Sequence, residues 1–131
     1  MGLTNEERNS VVQFRIVKAK NTFSEIALLT NHALWQNAAN RLYYACYYAV
    51  TALLIHHGIE TKTHQGIINQ MGLHFVLTGI LSQKEGMLFK DLFELRQECD
   101  YADWIVINKE DIIPLIEPAE KFIAKIEKLI T

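Results

Sequence analysis

The sequence predicts an all-α fold, an up-and-down bundle of four long helices plus one short helix. Three observations carry this reading. Apolar residues recur at three- and four-residue steps along most of the chain. No run alternates polar and apolar residues between turn signals, as half-buried strands do. Glycine is sparse, and the two prolines, Pro114 and Pro118, leave everything before them free to be helical. Half of the 131 residues are hydrophobic and 21% are charged, which suits one core and excludes a disordered chain. Residues 1–131 are therefore expected to form a single helical domain.

Thr4 and Glu7 stand at capping-box spacing and open the first helix. Val12, Ile16, Ala19, Phe23 and Ile26 then make one apolar stripe that runs to about Leu29. Thr30, Asn31 and His32 suit a short turn or a helix restart. The second helix covers about Leu34 to His57 and stops at Gly58, which suits a left-handed cap. Its central stripe is Ala38, Leu42, Ala45, Ala49 and Ala52, and the alanines let a neighbouring helix come close. Arg41, Tyr44 and Tyr48 form a second stripe about one position around, with Tyr43 and Tyr47 flanking it.

Residues 59–63 read as a connection, and a shorter third helix covers about 64–77. Ser82 and Glu85 repeat the capping-box spacing and open the fourth helix. There Leu88, Leu92, Leu95 and Cys99 are read as facing inward, with Phe89 and Phe93 on the flank. Residues 102–107 read as a loop or a frayed end. Asn108 is placed to cap the fifth helix, where Ile112, Ile116, Ala119, Ile123, Ile126 and Ile130 recur at helical steps. Pro114 interrupts that pattern. It predicts a kink or a later helix start, with Pro118 near the first position of that start.

The bulk properties exclude several function classes. A net charge of −2 argues against a general polyanion-binding surface, although a local basic cluster is compatible with it. Cys46 and Cys99 have no metal-ligand spacing and sit on apolar stripes, as buried thiols in a reducing compartment do. The polar stretch from Thr4 to Ser10 is not a signal peptide, and no apolar run is long enough to cross a membrane. A cytoplasmic protein with no membrane contact is expected. His56 and His57 point to different sides of a helix, and His64 and His74 lack an acidic partner at ligand spacing, so no metal site is expected. The glycines are scattered and form no phosphate loop, and no cofactor is expected.

The richest polar constellation lies at the end of the fourth helix, from Leu95 to Trp104. Arg96 is followed by Asp100 one turn on, then Tyr101, Asp103 and Trp104. Arginine presents a planar fork that can hold two phosphate oxygens, and the same fork can pair with Asp100 at i,i+4. Both readings stand at the level of sequence. Tyr101 can position a water or a phosphate, and Asp100 or Asp103 acts as a base only if desolvated. Arg41, Tyr44 and Tyr48 share a helix face and form a second candidate, with Asn40 beside Arg41, because an arginine beside two phenols can bind phosphate and stack a base. The alternative for them is a buried tyrosine layer or a dimer interface. Lys62 and His64 lie at the start of the third helix, where helix amides favour anions.

Taken together, Asn40-Arg41-Leu42-Tyr43-Tyr44-Ala45 with Tyr47-Tyr48 resembles the second-helix signature of HEPN domains. Lys62-Thr63-His64 with Gly66, followed by His74-Phe75, resembles the connection and third helix of a prokaryotic HEPN subfamily. Leu95-Arg96 with Asp100-Tyr101 matches its fourth helix. The resemblance covers roughly residues 34–104, and the clustering of Asn40, Arg41 and Arg96 in its signature implies that these three line one polar cleft. It implies a helical bundle that pairs as a homodimer, with frequent genetic pairing to a minimal nucleotidyltransferase as a toxin–antitoxin system. It also implies metal-independent ribonucleases whose motif is an arginine followed, four to six residues on, by a histidine. Here Arg96 is kept, positions 101–103 are Tyr, Ala and Asp, and no histidine follows His74. Three functions remain open on this basis. The chain is a dimeric module that binds RNA or a nucleotide phosphate, or a non-enzymatic module that regulates a protein partner, or a ribonuclease in which Tyr101, Asp100 or Asp103 replaces the histidine beside Arg96.

Overall fold

The computed structural model describes residues 2–101 and 104–131, and among these every regular element is helical. Four long helices are present: α1 (Asn5–Ser24), α3 (Trp35–His56), α5 (Gln83–Tyr101) and α6 (Lys109–Ile130). Two short ones accompany them, α2 (Ile26–Asn31) and α4 (His64–Met71), the latter continued by a π-helical turn over Gly72–Val76. The long helices form the expected bundle.

The helix starts obey local capping chemistry. The Thr4 N–H donates to Glu7 Oε1 at 2.9 Å, and the Glu7 N–H returns to Thr4 Oγ1 at 3.1 Å. Ser82 and Glu85 repeat the exchange at 2.7 and 3.1 Å ahead of α5. The Asn108 N–H donates to the Asp111 carboxylate at 2.9 Å as α6 begins. Thr63 caps α4 by accepting the Gly66 N–H at 2.9 Å. Gly58 closes α3 with φ +72°, and the Ile59 N–H reaches back to the Leu54 carbonyl at 2.9 Å, a Schellman closure.

Three expectations are corrected. The first helix does not run unbroken to Leu29. The Ser24 hydroxyl donates to the Asn21 carbonyl at 2.6 Å and the Glu25 N–H to the Thr22 carbonyl at 3.2 Å, so a tight turn separates α1 from α2. The inward face of α5 is rotated from the one expected. Phe89, Leu92 and Phe93 are buried, whereas Leu88, Leu95 and Cys99 are only half-buried. The aromatic rings take the core because they remove more apolar area from water. Finally, α6 starts at Lys109, not after Pro114, and runs through both prolines. The Glu110 and Pro114 carbonyls, deprived of their i+4 donors, lie on exposed residues, while Ile112, Ala119, Phe122 and Ile126 anchor the opposite face.

α3 is the axis of the bundle. Its partners are chiefly α1, then α6 and α5. Ala38, Leu42, Ala45, Ala49 and Ala52 are fully buried, as the central stripe predicts, and the small side chains allow close packing on more than one side. Tyr43 is also fully buried. It stacks on Phe89 at 5.6 Å, and Phe89 on Phe122 at 6.3 Å, so one aromatic column ties α3, α5 and α6 together. Among the described residues no helix is long and apolar enough to cross a membrane.

Gly58 offers a direct test of the α3 terminus. A Cβ there would sit at positive φ and within 3.7 Å of the Arg8 guanidinium. Gly58→Ala is expected to lower unfolding stability by about 1–2 kcal/mol, read as a lower urea midpoint with an unchanged slope.

Candidate functional site

The site is assembled where the tyrosine face of α3 meets the last turns of α5 and the start of α4. Arg96 projects from α5 onto that face, with its side chain only 12% exposed. Its guanidinium carbon lies 5.1 Å from the Tyr43 ring centroid, 5.5 Å from Tyr44 and 6.0 Å from Phe93. Arg96 Nη1 donates to Asp100 Oδ2 at 2.9 Å and more weakly to the Tyr44 hydroxyl at 3.4 Å. Its Nε is buried with no acceptor among the described residues, so ring faces stand where an oxygen would otherwise be.

The ion pair with Asp100 forms as the i,i+4 spacing allows. It is not explained by helix stability. Asp100 lies in the last turn of α5, where the helix dipole disfavours a carboxylate. Its side chain is 40% exposed, so the pair faces water on one side, a setting in which such pairs contribute little. The carboxylate orients a cation held rigid by packing.

The second candidate set lies against the first. Arg41 crosses the Tyr44 ring at 5.6 Å, so Tyr44 touches the guanidinium groups of both Arg41 and Arg96. Asn40 Oδ1 accepts from Arg41 Nε at 3.0 Å and from Nη2 at 2.7 Å, which fixes the fork, and Glu25 stands 3.9 Å away. Asn40, Arg41, Glu25, Gln36 and Asp100 line one open cleft of about 450 Å³. Arg96 itself does not line this cleft, so the expectation that Asn40, Arg41 and Arg96 line it together is met only for the first two; Arg96 is linked to it by its ion pair with Asp100, which does line it.

His64 enters from the opposite side. Its Nδ1 lies 2.6 Å from the Tyr43 hydroxyl, and its ring packs near Tyr47, Tyr44 and Phe93. Burial, and then the charge of Arg96, depress its pKa below the ordinary histidine value. Burial pushes the Tyr43 phenol upward, with Arg96 opposing the shift, so Tyr43 is a neutral hydroxyl at physiological pH. The Cys46 thiol is likewise raised by burial and is inert.

Lys62 does not join Arg96; it lines a separate cavity on the far side of His64. Tyr101 is at the end of α5 and 78% exposed. Asp103 lies outside the described residues. Sequence reasoning placed His64 at a helix start but missed its link through Tyr43 to Arg96. It also passed over Arg8 and Arg15, whose seven-residue spacing on α1 is a readable sign that they share a face. No group of His, Cys, Asp and Glu that could hold a metal occurs among the described residues.

Comparison with known proteins bears on the same region. The family model described as "HEPN domain" matches residues 12–129, which spans the whole site. A UPF0332 protein of Thermotoga maritima is 31% identical over 95% of this chain and 94% of its own length. Two proteins of Methanocaldococcus jannaschii, each named as a candidate toxin, are 29% identical; one match covers 96% of this chain and 93% of the relative, the other 86% and 77%.

The coupling between Arg96 and His64 has a measurable consequence. The His64 ring is expected to titrate below about 6.5 in an NMR pH series, and Arg96→Gln should raise that midpoint by removing the neighbouring cation. An unchanged midpoint would separate the two groups electrostatically.

Proposed function

Because this chain belongs to the HEPN family, we propose that it is a toxin-like HEPN module that binds RNA phosphate at Arg96. The observation that carries the reading is the state of Arg96. Its guanidinium is held by three aromatic rings and by one half-exposed carboxylate. Such a group costs little reorganisation when a phosphate replaces or joins Asp100. Arg41 and Asn40 lie across Tyr44 and offer a second anchor for the strand, and Tyr44 and Tyr101 offer ring faces for bases.

A homodimer fits this role. Tyr101, Trp104 and Val106 are exposed at the α5 end, and a second copy covering them would close the cleft. The toxin names of two relatives support a partner that restrains the module, and a nucleotidyltransferase antitoxin is the partner proposed here. Arg96→Gln is expected to weaken binding of a short single-stranded RNA at least tenfold. Its melting temperature should fall only slightly, because Asp100 is released to water. If RNA binding is unaffected, the Arg96 reading fails. Absence of RNA binding by the wild type would move the assignment to a protein-binding, regulatory role.

A second reading, a metal-independent ribonuclease, is favoured by the position of His64. In the tautomer in which Nδ1–H donates to the Tyr43 oxygen, Nε2 is an acceptor, and the lowered pKa favours the neutral ring; in the other, Tyr43 O–H donates to Nδ1 and Nε2 carries the proton. In the first, His64 would take the proton of a ribose 2′-hydroxyl as its oxygen bonds to phosphorus. The P–O5′ bond breaks, the departing oxygen takes a proton from water, and Arg96 holds the developing charge. Cleavage in chelator is expected to vanish in Arg96→Gln and His64→Gln. Its acid limb should lie below pH 6.5 and move upward in Arg96→Lys only if the cation is displaced. Loss in Tyr101→Phe, with His64→Gln active, would make Tyr101 the working group.

A further inference from the structure

We propose that the cavity between α1, the 58–63 connection and the start of α4 is a second anion site, taking the phosphate of a nucleotide-sized ligand. The cavity measures about 450 Å³, within the range of small-molecule sites. Arg8 and Arg15 reach it from α1, Lys62 from the connection and His64 from the first turn of α4. Among the described residues Arg8, Arg15 and Lys62 form no ion pair with a carboxylate, a state they share with Lys18, Lys84, Lys90, Lys109 and Lys128; of these, Arg8, Arg15 and Lys62 line the same cavity. Among the described residues Glu60 is the single acidic side chain on the wall.

In a chain of net charge −2, three unpaired cations around one concavity form a local field of opposite sign to the whole. The positive end of the α4 dipole adds to it. The site is also shaped rather than diffuse. Arg15 Nη1 donates to Thr51 at 3.4 Å, with its guanidinium 5.9 Å from the Tyr48 ring. Arg8 packs beside Gly58, where a Cβ would lie in van der Waals contact with its guanidinium at 3.7 Å. Leu54, Ile59 and Ile67 give the floor an apolar face, and Tyr47 adds an aromatic one. Cations at the rim over an apolar and aromatic floor fit a phosphate attached to a base or sugar better than a bare ion.

His64 separates this cavity from Arg96. One edge of its ring meets Tyr43 and the ring also lines the cavity, so the two sites share a wall without sharing their cations. The inference does not depend on RNA binding at Arg96. The phosphate could come from a free nucleotide or from an RNA strand, and the test separates these sources.

Amide NMR spectra of the wild type would be titrated with ATP, with inorganic phosphate, and with an uncleavable six-residue oligodeoxynucleotide. ATP is expected to shift the amides of Gly58, Ile59, Thr63 and Gly66, more strongly than inorganic phosphate. The shifts should persist in Arg96→Gln and weaken at least tenfold in the Arg8→Gln/Lys62→Gln double variant. The same map produced by the oligonucleotide alone assigns the phosphate to a strand. Shifts confined to Arg96 and Asp100, or none with any probe, overturn the second site. Equal affinity in the double variant does so as well. If that variant does not fold, the wild-type and Arg96→Gln maps decide. RNA binding lost in Arg96→Gln while the cavity map is absent would leave the RNA reading intact and remove only this one.

Discussion

A buried phenol organises this protein. Tyr43 has no exposure, yet its hydroxyl must be satisfied, and the group that satisfies it is His64 at 2.6 Å. That bond draws the start of α4 onto α3. The same ring stacks on Phe89 in the core and carries the Arg96 guanidinium on its outer side. Core packing, the placement of α4 and the rigidity of the arginine thus depend on one side chain. Removing its hydroxyl would loosen His64, and removing its ring would open a void against Phe89 and strip Arg96 of a supporting face.

Charge is handled locally. The chain is slightly acidic overall, but two arginines converge on Tyr44, and Arg8, Arg15 and Lys62 converge on a cavity one residue width away, beyond His64. Two guanidinium groups so close repel each other in an apolar setting. Here both lie against the Tyr44 ring, Asp100 balances one, and Asn40 with the more distant Glu25 orients the other. The aromatic face of α3 makes such an arrangement stable, because rings tolerate cations that aliphatic side chains would not.

Local rules were read well from the chain. Thr4 with Glu7, Ser82 with Glu85, and Gly58 all act where their types and spacings indicate, since a cap involves residues three or four apart. Arg96 with Asp100 is equally legible, being one helical turn. The misjudged elements depend on more. The turn at Ser24 rests on a hydroxyl competing for a carbonyl, which periodicity does not register. The rotation of α5 rests on what α3 and α6 offer to Phe89 and Phe93. The continuity of α6 through Pro114 and Pro118 rests on a buried face that offsets the lost hydrogen bonds.

The sequence by itself therefore determined an all-helical fold, the limits of most helices and the alanine face of α3. These follow from hydrogen bonds and periodicities that act within a few residues. Only the tertiary structure decided that His64, thirty-two residues before Arg96, stands beside it through Tyr43, and that Arg8, Arg15 and Lys62 surround one cavity. Such contacts arise from how α1, α3, α4 and α5 pack. The packing is set by the summed burial of side chains across helices, which no short spacing encodes.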